Sequence, residues 1–250
     1  QTGMLISDPV YWPDLTATGG PGTVLFDVAA WVSSAGITGS VIIQEAARYN
    51  DKIWMNIQHN SGSIPSQGWI HAILELSFDE SIPSASFNRL IPLQNNNLLN
   101  GFGGFGNYLA AATSINSTTV VMARRCMSCP VPQNDIIKFD VSGSTAVETI
   151  LFPTIKQIGD IVYVPSSDTL VAIEYPLPGG YYFATHYTIT GTLLGTVQIG
   201  PTAGIFCYNG EIIIPQSNGM HILDLASMTL TASSQTTPNF DLNMDSASNP

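Results

Sequence analysis

A segment of similar pattern recurs four times along the chain, and this internal repeat constrains the fold more than any other feature. Each copy is an apolar stretch that ends in Asp or Thr and a turn of small residues: residues 73–81, 136–144, 184–192 and 221–229. Aligned on the polar position, the markers are Asp79, Asp140, Thr188 and Asp224. Their spacing is uneven, but insertions in repeat proteins fall in loops, and a period of about 40 to 50 residues is typical of propeller blades.

A hairpin pattern precedes each copy and a further short strand follows it. The hairpins cover residues 45–56, 108–123, 161–173 and 205–214, and the following strands cover 87–93, 147–152, 195–199 and 230–234. The last hairpin turns at Asn209-Gly210, which is a strong hairpin signal. Helical periodicity is scarce, and the best helical candidate, residues 44–49, is too short to stand alone. Four strands per unit predict an all-β propeller of four-stranded antiparallel blades.

The repeat also predicts how the chain is divided. We expect one propeller domain over residues 1–234, with blades at 42–93, 94–155, 156–200 and 201–234, and a polar tail or linker at 235–250. Residues 23–30 resemble the recurring segment, so residues 1–41 are expected to form a degenerate fifth blade or a closure strand. A two-sheet Greek-key sandwich is the alternative, which the repetition of hairpin plus two strands disfavours.

Two segments resemble the β-propeller superfamily. Residues 134–150 (NDIIKFDVSGSTAVETI) and 209–231 (NGEIIIPQSNGMHILDLASMTLT) are similar to blades of kelch, NHL and related phage or extracellular propellers. The resemblance covers about residues 42–234. Its motifs are generic, so it implies a fold and little about activity.

The composition limits the classes of partner that the protein is expected to have. Charged residues make up 10% of the chain, against about 25% in typical soluble domains. Polar, uncharged residues must therefore cover the surface, which is typical of extracellular or virion proteins. The formal charge of −11 predicts no nucleic-acid partner. No apolar run is long enough to cross a bilayer, so no membrane insertion is expected. Since the chain begins at Gln1, we expect an upstream segment to have been removed.

Three cysteines offer several chemistries. Cys126 and Cys129 form a C-x-x-C pair, and Cys207 is the third. The pair is predicted to be a loop-stapling disulfide or plain thiols. Half of a zinc site and a redox centre are the alternatives, but the prolines that follow leave no helix to lower a thiol pKa. We expect no metal and no cofactor.

Other polar residues have simpler interpretations. Asn116-Ser117-Thr118 is a sequon, so Asn116 is a candidate glycosylation site. The glycine-rich segment 101–106 lacks the lysine and helix of a phosphate loop. Four single histidines are expected to be ordinary strand residues: His59, His71, His186 and His221.

The main enzymatic hypothesis is glycoside hydrolysis by a pair of carboxylates. Glycoside hydrolysis needs two carboxylates about 5 to 9 Å apart. Five candidates lie at Asp8, Asp14, Glu45, Asp160 and Glu211. The repeated marker aspartates are instead expected to cap their own turns. The tryptophans all lie in the first third of the chain, which argues against one sugar site per blade: Trp12, Trp31, Trp54 and Trp69.

The sequence therefore predicts a non-catalytic structural or interaction module that displays loops to protein subunits or glycans. The alternative is a glycan-binding or glycoside-hydrolysing propeller that uses central carboxylates. The positions of Glu45, Asp160 and Glu211 discriminate between them, because catalysis requires these side chains to converge on one pocket.

Overall fold

The computed structural model describes residues 10–12, 23–35, 39–61, 70–79, 81, 84–94, 107–126, 134–175, 181–202, 204–208, 210–216 and 219–232. Four antiparallel sheets of four strands account for most of them, and each sheet is a simple meander of consecutive strands. The four sheets are arranged as a four-bladed β-propeller. The predicted all-β class and the four-stranded blade are confirmed.

Blades 1 to 4 follow one another along the chain. Blade 1 contains β3 (Gly39–Tyr49), β4 (Lys52–Ser61), β5 (Ile70–Asp79) and β6 (Ser84–Pro92). Blade 2 contains β7 (Asn107–Asn116), β8 (Thr119–Cys126), β9 (Asn134–Asp140) and β10 (Val147–Thr154). Blade 3 contains β11 (Gln157–Val164), β12 (Thr169–Tyr175), β13 (Tyr182–Thr188) and β14 (Leu193–Ile199). Blade 4 contains β15 (Phe206–Tyr208), β16 (Glu211–Gln216), β17 (Gly219–Asp224) and β18 (Thr229–Ala232).

The expected fifth blade is not found in the described part of the N-terminal segment. Here β1 (Val10–Trp12) pairs with β2 (Thr23–Phe26), and α1 (Val28–Ser34) follows. Residues 23–30 resemble the recurring segment, but Asp27 ends the extended stretch by capping the helix: its Oδ1 accepts the N–H of Ala30 at 2.9 Å. Trp31 and Val32 then pack on blade 1.

Residues 44–49, too short for an independent helix, belong to β3, and β3 and β4 form the hairpin predicted over residues 45–56. A bulge at this point places Gln44 and Glu45 opposite Asn56, so the alternation of inward and outward residues is interrupted. Bulges also occur in the inner strands β7 and β11 and in the outer strands β6, β10 and β14. Bulges in outer strands hinder pairing of the exposed sheet edges with other chains. Charged side chains, which also hinder such pairing, are few in this chain.

Apolar cores fill the spaces between successive blades. Trp54 and Phe139 lie in the core between blades 1 and 2, and Ile136 and Leu170 lie in the core between blades 2 and 3. The core between blades 3 and 4 includes Ile173. A fourth core covers the other face of blade 1 with α1 and residues of β2. Within the described residues, no core joins blade 4 to blade 1.

Candidate functional site

Each blade has two different ends, which follow from its meander. We call the end with the first–second and third–fourth strand connections the turn end. The loop end holds the second–third connections and the links between blades. The turn ends carry tight turns, and Asn50, Asp168 and Gly210 adopt positive φ in three first–second turns. These turns lie where the sequence predicts them.

The repeated markers at the turn ends cap their own turns, as predicted. Asp79 Oδ1 accepts the N–H of Ser81 at 2.9 Å, and Asp140 Oδ1 accepts that of Ser142 at 2.9 Å. The same role belongs to Asp224 in blade 4, and Thr188 Oγ1 accepts the N–H of Thr192 in blade 3. These groups are therefore engaged in turn structure and do not form a catalytic set.

Third–fourth turns also pack on the outer strand of the preceding blade. The Arg89 guanidinium on β6 donates to the carbonyl oxygens of Val141 (2.6 Å) and Gly143 (2.7 Å) in the blade 2 turn. Phe152 on β10 packs directly on Gly191 of the blade 3 turn, and Met228 of the blade 4 turn packs on Gly195 of β14. The turn ends therefore join neighbouring blades.

Arg89 is held by a buried carboxylate. Its Nε and Nη2 lie 3.2 and 3.1 Å from the two oxygens of Glu75, which is 1% exposed. The indole Nε1 of Trp54 donates to Glu75 at 2.8 Å. Burial alone raises the pKa of Glu75, but the hydrogen bonds and positive charges around it lower the pKa below its ordinary value. The carboxylate is thus a structural anion.

Of the candidate catalytic carboxylates, the structure describes three, and these differ in burial and position. Asp160 is buried on the inner strand β11, and its two oxygens accept the N–H groups of Ile161 (2.8 Å) and Ile205 (2.7 Å). It thereby connects blades 3 and 4. Glu45 is buried at the bulge of β3, whereas Glu211 is exposed at the turn end of blade 4. Asp8 and Asp14 lie outside the described residues.

Histidines are strand residues where their side chains are described. His186 is buried and shares a hydrogen bond of 2.8 Å with Thr169 Oγ1, and burial lowers the pKa of its imidazole. His71 is buried at the start of β5 and His221 is half-buried on β17. His59 lies on β4, and its side chain is not described. No group of three or more His, Cys, Asp or Glu residues suited to a metal ion occurs in the described parts of the chain.

The structure tests only part of the prediction for the cysteines. Cys126 ends β8, but Cys129 lies outside the described residues, so the disulfide stays a prediction. Cys207 is a free, half-buried thiol on β15, and burial raises its pKa. This thiol is therefore protonated at neutral pH. The glycine-rich segment 101–106 also lies outside the described residues.

Asn116 stands at an accessible turn. It ends β7 and is exposed, and its Oδ1 accepts the backbone N–H (2.9 Å) and the hydroxyl (3.1 Å) of Thr118. These bonds close the turn to β8. Glycosylation of Asn116 stays a prediction.

A polar cluster lies at the loop end between blades 2 and 3. Lys156, in the short link between the two blades, places its Nζ 2.9 Å from Glu174 Oε2 and 3.9 Å from the centre of the Phe183 ring. The hydroxyl of Tyr187 donates to the other oxygen of Glu174 at 2.5 Å. Burial and this carboxylate raise the pKa of Tyr187. We call Lys156, Glu174, Phe183 and Tyr187 the Lys156 cluster.

Exposed apolar groups stand beside the cluster. Ile155 is 93% exposed and Tyr181, directly before β13, is 64% exposed. Thr154 Oγ1 lies 3.0 Å from the carbonyl oxygen of Lys156 and fixes the link that presents Ile155. Both are large side chains held at the ends of well-defined strands, which suits contact with a partner.

Sequence reasoning missed this cluster, although one signal was present. Tyr175 and the run Tyr181-Tyr182-Phe183 bracket a short proline- and glycine-rich connection, residues 176–180. The ring of Tyr175 packs on Gly159 at the bulge of β11 and meets Tyr182 edge to face, with the ring centres 5.3 Å apart.

No family model and no curated protein matches the sequence of this chain. Within its described residues, no helix is long and apolar enough to cross a membrane.

Solved structures show distant similarity. A protein from Lactobacillus plantarum is 13% identical with a TM-score of 0.39, and the match covers 74% of this chain and 52% of that one. TolB from Acinetobacter baumannii is 12% identical with a TM-score of 0.36, over 82% of this chain and 56% of that one. A glycosyl hydrolase from Bacteroides ovatus is 7% identical with a TM-score of 0.32, over 80% and 88%. This chain therefore spans about half the length of the first two proteins, and similarity at this level assigns no activity to it.

Proposed function

We propose that the protein is a non-catalytic interaction module of a virion or secreted assembly, as in phage and extracellular kelch- or NHL-like propellers, and that it contacts protein or glycan partners through its loop ends. The difference between the two ends of the blades carries this proposal. At the turn ends, the marker residues cap turns that pack on the preceding blade. At the loop end between blades 2 and 3, Ile155 and Tyr181 are exposed.

The hydrogen bonds and ion pairs of the buried acidic residues support a non-catalytic role. Asp160 accepts backbone N–H groups on both of its oxygens, and Glu174 is paired with Lys156 and Tyr187. A general acid or nucleophile needs a carboxylate that can reach a substrate. The glycosidase alternative is tested with aryl glycosides: hydrolysis by the intact protein that disappears in Asp160→Asn or Glu45→Gln would replace the present proposal.

The interaction itself is tested by adding one negative charge to each end. The intact protein is screened against immobilised glycans and a displayed peptide library, and the screen is repeated with Ile155→Asp at the loop end. Ser166→Asp, at an exposed first–second turn of blade 3, is the matched control. We expect Ile155→Asp to weaken binding at least about tenfold, since charge at an apolar contact is costly.

Ser166→Asp is expected to leave binding unchanged. Equal loss in both variants, or loss only in Ser166→Asp, would show that the loop end is not the contact surface. Both variants should keep the β-rich circular dichroism spectrum, because both positions are exposed.

A further inference from the structure

The outer strand of each blade has one edge that pairs with no other strand in the part of the chain that the structure describes. Such an edge offers backbone N–H and C=O groups to strands of other chains, and proteins commonly protect it with charged residues, prolines or a very short strand. Two of the outer strands combine a charged residue with a proline: Arg89 and Pro92 in β6, and Glu148 and Pro153 in β10. The outer strand of blade 4, β18, has only four residues.

The outer strand of blade 3 has none of these protections. β14 has seven residues, Leu-Leu-Gly-Thr-Val-Gln-Ile, without a charge or a proline. Its bulge lies at Leu194, and from Gly195 to Ile199 the strand pairs with β13 without interruption. Leu193 is 58% exposed and Leu194 is 51% exposed. β14 is therefore the outer strand best suited to pair with another strand.

Charge favours a second copy of this chain as the partner of β14. The chain carries a formal charge of −11, so two copies repel each other wherever their charged surfaces approach. Residues 175–210, which include β13 and β14, contain no Asp, Glu, Lys or Arg. The repulsion is therefore lowest at this edge. An uncharged edge does not attract a charged strand, whereas β14 of a second copy is itself uncharged.

The pattern of β14 suits pairing with its own copy. A two-fold axis makes identical strands antiparallel and lets each contact occur twice. An axis near Thr196, the middle residue of β14, places this side chain close to its own copy, and threonine pairs across strands are favourable. It also brings Leu193 and Leu194 against the end of the other β14. Thr196 is exposed, and it points away from the core between blades 3 and 4 into which Val197 packs.

We propose that the protein forms a two-fold dimer in which β14 pairs antiparallel with β14 of a second copy, so that the two copies of blade 3 become one continuous sheet. This inference goes beyond the proposed function, because it uses the outer edge of blade 3 and not the exposed Ile155 at the loop end.

The test measures the mass of the intact protein by sedimentation velocity and light scattering, over concentrations from micromolar to millimolar. We expect a shift from monomer to dimer as the concentration rises. Thr196→Lys should weaken the dimer at least about tenfold, because it places like charges close together across the two strands. Thr231→Lys is the matched control: it adds the same charge at an exposed threonine of an outer strand, β18, and should dimerise like the intact protein.

A charge exchange tests the identity of the partner strand. Thr196→Glu should also weaken the dimer, whereas an equal mixture of Thr196→Lys and Thr196→Glu should restore it, since opposite charges then face each other. Added salt should strengthen the intact dimer, because it screens the repulsion between two negatively charged chains. Amide hydrogen exchange should slow in β14 as the concentration rises, and it should stay unchanged in β18.

Melting temperatures measured on dilute protein separate loss of pairing from loss of folding. Thr196 Oγ1 lies 3.2 Å from Thr185 Oγ1, and Thr196→Lys removes this hydrogen bond. If Thr196→Lys melts early, Gln198→Lys takes its place, because Gln198 is exposed on the same face of β14. Gln198→Lys must then weaken the dimer.

Three outcomes would overturn the inference. The intact protein stays monomeric at every concentration, Thr196→Lys and Thr231→Lys weaken the dimer equally, or the mixture of opposite charges fails to dimerise. If the intact protein is monomeric and Thr196→Lys removes binding of a displayed peptide, β14 accepts a strand of a different chain and the second copy is the wrong partner. None of these outcomes changes the expected effect of Ile155→Asp, so the proposed function fails or stands separately.

Discussion

The turn ends and the loop ends of the blades contain similar residue types, but these residues make different contacts. At the turn ends, Asp140 caps a turn, and the same turn offers carbonyl oxygens to Arg89 of the preceding blade. At the loop end, Asn134 has a buried acceptor with no donor among the described residues, and Ile155 is exposed. The polar groups of the turn ends are used in holding the propeller together, so substitutions should affect stability there and binding at the loop end.

The largest stability effect is expected at Arg89. Arg89→Met keeps the aliphatic stem but leaves Glu75 buried without its main counter-ion and frees the carbonyl oxygens of Val141 and Gly143. Leaving the buried Glu75 carboxylate without this partner should lower the free energy of unfolding by about 3 kcal/mol in urea titrations. The control is Lys138→Ala, which removes a positive charge from β9. It should lower the free energy of unfolding by less than about 1 kcal/mol. Equal losses would mean that the junction of blades 1 and 2 does not depend on Arg89.

A smaller loss is expected at a glycine of the third–fourth turn of blade 3. Gly191 has φ +90°, and a Cβ there would lie 2.4 Å from Cγ of Phe152. Gly191→Ala should therefore cost about 2 kcal/mol through strain and overpacking. Gly143→Ala in the corresponding turn of blade 2 is matched, because its nearest atom would be 3.5 Å away. Chemical denaturation of both variants checks the difference, and a tolerant Gly191 would show that this turn does not pack tightly.

Acid should weaken the turn ends. Hydrogen bonds from the hydroxyl and N–H of Ser142 lower the pKa of Asp140, and those from the N–H groups of Ser227 and Ala226 lower the pKa of Asp224, below the ordinary value of 3.8. The stabilisation is therefore complete above pH 3.8 and is lost as the pH falls from there through the folded-state pKa values.

Melting temperatures measured as a function of pH check this. The double variant Asp140→Asn, Asp224→Asn should lose less stability than the intact protein on acidification, because its amides accept the same bonds without titrating. Parallel pH profiles would contradict the role of the two caps.

The smallest stability effect is expected at Ile155. Its side chain is 93% exposed, so Ile155→Asp should change the free energy of unfolding by no more than about 0.5 kcal/mol. The same denaturation series measures it. A large loss would mean that Ile155 supports the fold, and the contrast between the ends would then disappear.

Much of the fold could be predicted because its signals are local. The third strands end at Asp79, Asp140, Thr188 and Asp224 in both the sequence pattern and the structure. The candidate site could be predicted less well from the sequence. Glu45, Asp160 and Glu211 were candidates by residue type, but the N–H groups that occupy Asp160 come partly from another blade, and no local pattern reveals them.

The sequence by itself determined the four-stranded unit, its repetition and its turns, because strand alternation and turn chemistry act over a few neighbouring residues. Tertiary structure decided that residues 28–34 form a helix on blade 1, that Arg89 joins two blades, and that Thr154 brings Asn134 and Lys156 together. These outcomes depend on burial and hydrogen bonds between segments far apart in the chain, and such contacts exist only once the sheets have packed.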